Sequence, residues 1–289
     1  MKNKPFNSLN DYFVRYFFTD KGGEKVLLDF INAVMISANM KTFKAVEILN
    51  PFNLKRNYKD KETIVDVKCI TKNGTVVIIE VQLSGNSRFP ERILYYWSTN
   101  YSKLLKKGEG YEDLTPVISI NLLNFNLNKK DSNVHSCYMI YDTKNKRLLT
   151  DHLQIHIIEL KKFNFKNNNL SKDLNYWLGF FTTKNMEAYM SDIVKEKPIM
   201  EEAHKRYNNF IRSRLMMSEY EKKEIYQYDK QIMLKDERRE GIKEGIKKGK
   251  LEGIKERNYS IAKNLKKAGS DIEFISEITG LTIEEINKL

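Results

Sequence analysis

Residues 63–83 constrain this chain more than any other stretch. Two β-rich runs, Thr63–Ile70 and Thr75–Leu83, flank Lys72-Asn73-Gly74, a strong hairpin signal. Each run carries one carboxylate, Asp66 or Glu80, inside an otherwise apolar stretch. A carboxylate in such surroundings is either neutral, its pKa raised, or charged and matched by a cation. Two that face each other repel unless a divalent ion lies between them. Strand alternation places Glu80 and Gln82 on one face together with Val76 and Ile78.

Whether the two carboxylates share a site depends on the length of the turn. With Asn73-Gly74 as a two-residue turn, Lys72 pairs with Thr75 and Asp66 with Val81, and Asp66 and Glu80 fall on opposite faces. With Lys72-Asn73-Gly74 as a three-residue loop and Gly74 left-handed, Thr71 pairs with Thr75 and Asp66 opposes Glu80. Facing residues then stand about 4.5 to 5.5 Å apart, near enough for both carboxylates to hold one Mg²⁺ through oxygens at about 2.1 Å. The competing reading is a surface hairpin with ordinary acidic residues.

The surrounding pattern is that of an α/β sheet domain. Leu9, Phe13 and Phe17, then Val26, Leu27, Phe30, Ile31 and Val34, have helical spacing and are separated by Asp20-Lys21-Gly22-Gly23. Ala45–Leu49 and Pro116–Leu122 add strands, and Pro90–Leu105 reads as a helix rich in Tyr and Trp. Two opening helices followed by strand, strand, helix, strand predict a mixed sheet flanked by helices. Asp151–Leu160 alternates as a further strand, which holds His152 and His156 about 13 Å apart, too far for one ion.

Composition excludes several classes. With 41% hydrophobic and 11% aromatic residues among 289, the chain can build a core, and global disorder is excluded. No apolar run approaches the roughly 20 residues of a membrane span. The N-terminus lacks a secretory pattern and the two cysteines, Cys69 and Cys137, make no disulfide framework, so a cytoplasmic protein without a membrane partner is expected. Fifty basic against 38 acidic residues give a net charge of +12, which suits a phosphate-bearing partner or equally a solvated lysine-rich surface.

The second half reads as helical from Ser171 to Leu234 and then enters a tetrapeptide repeat with glycine at 241, 245, 249 and 253. On a helix these glycines form a slowly drifting row beside Ile242, Ile246 and Ile254. The row allows close helix approach and self-association; a charged linker is the alternative. In the last thirty residues Ser270 with Glu273 and Thr282 with Glu285 fit capping boxes, and Gly280 fits a helix end, which predicts three short helices. These helices suit an assembly module or a small DNA reader.

Several blocks together resemble a known family. They are Asp66…Glu80-x-Gln82; Glu91-Arg92-Ile-Leu-Tyr95-Tyr96-Trp97; Lys107-Gly108-x-x-Tyr111-x-x-Leu114-x-Pro116-Val117-Ile118; Glu159-Leu160-x-Lys162-Phe163; and the glycine-repeat tail with Thr279-Gly280-Leu281. They are similar to the PD-(D/E)xK nuclease family transposases, the recombination-promoting nucleases, and the likeness runs over nearly the whole chain. Two positions depart from the broader superfamily: Val65 precedes the aspartate where proline is usual, and Gln82 stands where (D/E)xK has lysine.

The resemblance implies a restriction-endonuclease-like α/β core over 1–165, a helical extension over 166–239, a glycine-repeat helix or linker over 240–258 and a small helical module over 259–289. It implies a Mg²⁺-dependent DNA endonuclease linked to transposition or recombination, with Mn²⁺ or Ca²⁺ as alternative ions. Asp66, Glu80 and Gln82 are then the catalytic residues, with Asp66, Glu80 and the Val81 carbonyl as metal ligands. Asp11, in an opening that resembles the family's D-x-x-F-K helix, is either a third carboxylate or a helix N-terminal residue favoured by the dipole. Arg88 and Arg92 are DNA-binding candidates, although Arg92 could equally stack on Tyr95 or Tyr96, and the aromatic cluster Tyr95, Tyr96, Trp97 and Tyr101 reads mainly as core. Homo-oligomerisation through the C-terminal region is expected. The competing function is a nuclease-like scaffold that binds DNA or a partner without cutting.

Overall fold

The computed structural model describes residues 6–50, 52, 66–85 and 88–289. Helices α1 (Asp11–Thr19) and α2 (Glu24–Ser37) precede strands β1 (Val46–Ile48), β2 (Val67–Thr71) and β3 (Val76–Gln82). Helix α3 (Phe89–Ser102) leads to β4 (Val117–Leu123), β5 (His135–Tyr141) and β6 (Leu148–Glu159). Helices α4 (Lys172–Thr182), α5 (Met186–Ile193), α6 (Ile199–Arg212), α7 (Arg214–Lys267), α8 (Ile272–Thr279) and α9 (Ile283–Asn287) complete the chain. The start of the expected Thr63–Ile70 strand, and with it Val65, lies outside the described residues.

The six strands form one mixed sheet in the order β1-β2-β3-β4-β6-β5. β3, β4 and β6 run parallel to one another, and β1–β2, β2–β3 and β5–β6 are antiparallel. The central strands Val76–Gln82 and Val117–Leu123 are apolar almost throughout because both of their faces are covered, as parallel strands require. One face packs Val67, Val77, Ile79 and Ile120 with α1, α2 and α4–α6; the other packs Val76, Ile78, Val117 and Ile155 with Phe89, Ile93 and Trp97 of α3.

Helices α4–α6 belong to this same core, so the chain divides into compact units Met1–Lys223 and Glu224–Leu289, and not at 165 or 239. The reason is polar as well as apolar. Buried Arg206 of α6 donates to the carbonyls of Tyr16, Phe17, Asp20 and Lys21, satisfying the end of α1, which lacks a basic residue of its own in its last turn. Lys197 bridges Asp29 of α2 and Asp173 of α4, and the Trp177 indole donates to Asp29.

The β2–β3 turn is the three-residue loop. The Thr71 N–H donates to the Thr75 carbonyl at 2.9 Å, Gly74 has φ +84°, and the ladder runs from Ile70↔Val76 to Val67↔Ile79. A Cβ at Gly74 would also stand 2.9 Å from the Thr115 methyl. β5 is a strand that the sequence pattern leaves unassigned.

In the second unit the repeat glycines lie within α7, with open space around each. The last thirty residues hold three helical stretches as expected, but the first is the end of the long α7 rather than a separate short helix; α8 and α9 follow it. They pack Ile275, Leu281 and Ile286 against Ala262 and Leu265. Thr282 and Glu285 form the expected capping box and Gly280 ends α8 at φ +66°, but the α8 cap is Asp271 and not Ser270. Among the described residues, no helix is long and apolar enough to cross a membrane.

Gly74→Ala should cost about 1 to 2 kcal/mol through the left-handed backbone alone, measured by urea unfolding. A variant as stable as the wild type would contradict the three-residue loop.

Candidate active site

The β2–β3 ladder ends at Val67↔Ile79; Asp66 is the next residue, just outside β2 at the end of the hairpin away from its turn, and its charge acts on Glu80. Glu80 is only 5% exposed because its strand is covered on both faces. The Asp66 carboxylate accepts the Val81 N–H at 2.7 Å, so the Val81 backbone contributes a donor here while its side chain fills the core. Gln82 Nε2 donates to Glu80 Oε2 at 2.9 Å, and Gln82 Oε1 accepts from Arg92 Nη2, which reaches across from the first turn of α3. The Arg92 guanidinium lies 5.2 Å from the Phe89 ring centre and 5.8 Å from that of Tyr96. Among the described residues, Glu80 Oε1 and Arg92 Nε are buried without a hydrogen-bond partner, and so is Nε of Arg15 on α1, whose charge acts on Asp66.

Both carboxyls are pushed upward. Burial raises Asp66 to about 7, with the Asp11 charge adding to it, and the Val81 N–H, Arg15 and Lys223 pulling the other way. Burial and the neighbouring Asp66 raise Glu80 to about 8, opposed by Arg92 and the Gln82 hydrogen bond. The pair is thus short of positive charge.

The other sequence candidates take separate places. Asp11 is the first residue of α1, bonded to the Tyr12 N–H at 2.9 Å and paired with Lys223 at 3.1 Å, and it reaches Asp66 through its charge. The N-cap of α1 is Asn10. Arg88 is exposed and pairs with Glu91 at 3.1 Å, outside the cluster of Asp66, Glu80, Gln82 and Arg92. Trp97 packs in the core and donates to the Val117 carbonyl, whereas Tyr95 is exposed. His152 bonds Tyr101, and His156 meets His135 and Cys137 through different ring nitrogens. The Glu159–Lys162 block builds structure: Glu159 accepts from Leu127 N, Asn128 N and Lys162 Nζ, pinning the loop between β4 and β5.

Arg15 is the residue that reading the sequence for function missed. Its place four residues after Asp11, on the same side of α1, was the available signal.

Among the described residues, no three His, Cys, Asp or Glu side chains gather where one ion could hold them all. Two carboxylates suit Mg²⁺, which commonly takes one or two from the protein and fills its shell with water and substrate phosphate. The orphaned Glu80 oxygen and the two raised carboxyls fit such an ion.

In metal-free protein the folded state holds more protons than the unfolded one between about pH 4 and 8, since both folded values lie above ordinary carboxyl values. Stability should therefore fall as pH rises through this window, and Glu80→Gln should flatten the decline. Urea unfolding in EDTA at several pH values measures it; a wild type of constant stability would contradict the buried pair.

Neither the curated proteins nor the solved structures compared with the chain give a match. The family model described as PD-(D/E)XK nuclease family transposase matches residues 8–237, which span α1 to α6, the whole sheet and the first part of α7. The mixed sheet with flanking helices is that family's restriction-endonuclease-like α/β fold. By a match that covers most of its length, the chain belongs to the PD-(D/E)XK nuclease family transposases.

Proposed function

We propose that this protein is a divalent-metal-dependent DNA endonuclease acting in transposition or recombination in the cytoplasm, with Mg²⁺ as its ion and Mn²⁺ or Ca²⁺ as substitutes. The observation that carries the reading is the neighbouring pair Asp66 and Glu80, raised in pKa, with a Glu80 oxygen and an Arg92 donor left unpartnered among the described residues at the two ends of the Arg92–Gln82–Glu80 chain. A cation and a phosphate together would satisfy both atoms.

Asp66 and Glu80 would hold the ion, with the Val81 carbonyl as a further candidate; Asp11, paired with Lys223, does not gather with them around one ion. When bound, the ion supplies Lewis-acid polarisation of a phosphate. Arg15 and Arg92 bring donors to phosphate oxygens, and Arg88 offers a more exposed contact at the start of α3. Asp11 tunes Asp66 through its charge, while Lys223 limits that effect. Gln82 orients the Glu80 carboxylate.

The net charge of +12 supports DNA as the partner, bound mainly through its phosphates. Self-association belongs to the same proposal: Ile242, Ile246 and Ile254 of α7 are exposed beside the glycines. Light scattering of the full chain tests it, and a monomeric mass at every concentration would remove it.

Asp66→Ala and Glu80→Ala should each abolish Mg²⁺-dependent plasmid cleavage while the protein stays folded, because each change relieves the repulsion as it removes a ligand. Arg15→Ala should weaken DNA binding and lower the salt slope by about 1. Wild-type cutting by either carboxylate variant would contradict the site; binding of DNA without cutting by the wild type would favour the scaffold reading.

A further inference from the structure

We infer that Arg92 takes the place of the lysine missing from the E-x-Q motif: it supplies that positive charge and fixes the Gln82 amide against Glu80. The inference rests on the nuclease reading above and deepens it.

Polarity fixes the arrangement. A guanidinium only donates, so the amide atom that it meets must be Gln82 Oε1, and Nε2 is then left to face the Glu80 carboxylate. Gln82 is therefore held between a cation and an anion, with its oxygen engaged by Arg92. An amide so held is a poor acceptor for a proton from water; it serves to position.

The positive charge of the site comes from α3. Phe89 and Tyr96 border the guanidinium and limit where it can sit. The chain Arg92–Gln82–Glu80 leaves one buried donor open at its first residue, Arg92 Nε, and one buried acceptor open at its last, Glu80 Oε1. An anionic oxygen at Arg92 and a cation at Glu80 are what these two atoms lack.

A lysine at position 82 would bring its ammonium to where Arg92 now meets the amide, so the two cations should exclude each other. This makes a swap experiment decisive. Plasmid cleavage with Mg²⁺ is measured for the full-length wild type, Arg92→Ala, Arg92→Lys, Gln82→Lys and the double variant Gln82→Lys/Arg92→Ala. Alongside, the Gln82 side-chain amide signal is followed by NMR in EDTA.

Arg92→Ala should slow cleavage by about 100-fold, the usual cost of removing one donor at developing charge. Arg92→Lys should retain more activity than Arg92→Ala. Gln82→Lys alone should cut more slowly than wild type, and the double variant should recover about tenfold over Arg92→Ala. The Gln82 amide signal should move in Arg92→Ala. Wild-type cutting by Arg92→Ala, or a double variant no faster than Arg92→Ala, would overturn the inference. A wild type that does not cut removes the nuclease reading alone. The amide signal then decides: unmoved in Arg92→Ala, it overturns the Arg92 assignment, and moved, it supports it.

Discussion

Placing two carboxylates next to each other on a covered hairpin costs free energy, and much of the fold around the site can be read as a response to that cost. Desolvation and mutual repulsion both favour the protonated forms, and the nearby cations do not cancel them. Each neighbour meets part of the deficit. The Val81 N–H holds Asp66, Gln82 holds Glu80, and Arg15 and Arg92 approach from α1 and α3 with donors to spare. On the proposed reading, the ligand brings positive charge to the carboxylates and negative charge to the arginines.

The helices after the sheet matter because α1 carries two residues that act on Asp66. α1 is held by Arg206, whose guanidinium takes four carbonyls from its last turn and the following loop. Lys223, near the start of α7, meets Asp11 at the other end of α1. The sheet supplies the carboxylates, and α4–α6 fix the helix that tunes them. This is why the compact unit extends to residue 223.

The carboxylates, the hairpin and Gln82 were legible because alternation and turn chemistry are local. The register was legible only as two alternatives: both turns satisfy the Asn-Gly signal, and the choice is made by Gly74 against Thr115 and by pairing beyond the loop. β5 escaped because His135–Tyr141 is an edge strand of mixed polarity with a register shift, so no strict alternation marks it. The α8 cap was misplaced by one residue because Ser270 and Asp271 are both good caps, and backbone geometry alone chooses Asp271. The partnership of Arg92 with Gln82 and the approach of Arg15 to Asp66 are tertiary, and periodicity carries no trace of which side chains meet.

The central claim is that Asp66 and Glu80 form one proton-holding site that exchanges its protons for a divalent ion. Calorimetric titration of the metal-free protein with Mn²⁺ at neutral pH, repeated in buffers of different ionisation enthalpy, counts the protons released on binding. The account predicts one ion bound with release of about one proton or more, and loss of both binding and release in Asp66→Asn. Mn²⁺ that fails to bind, or binds with no proton released, would contradict it.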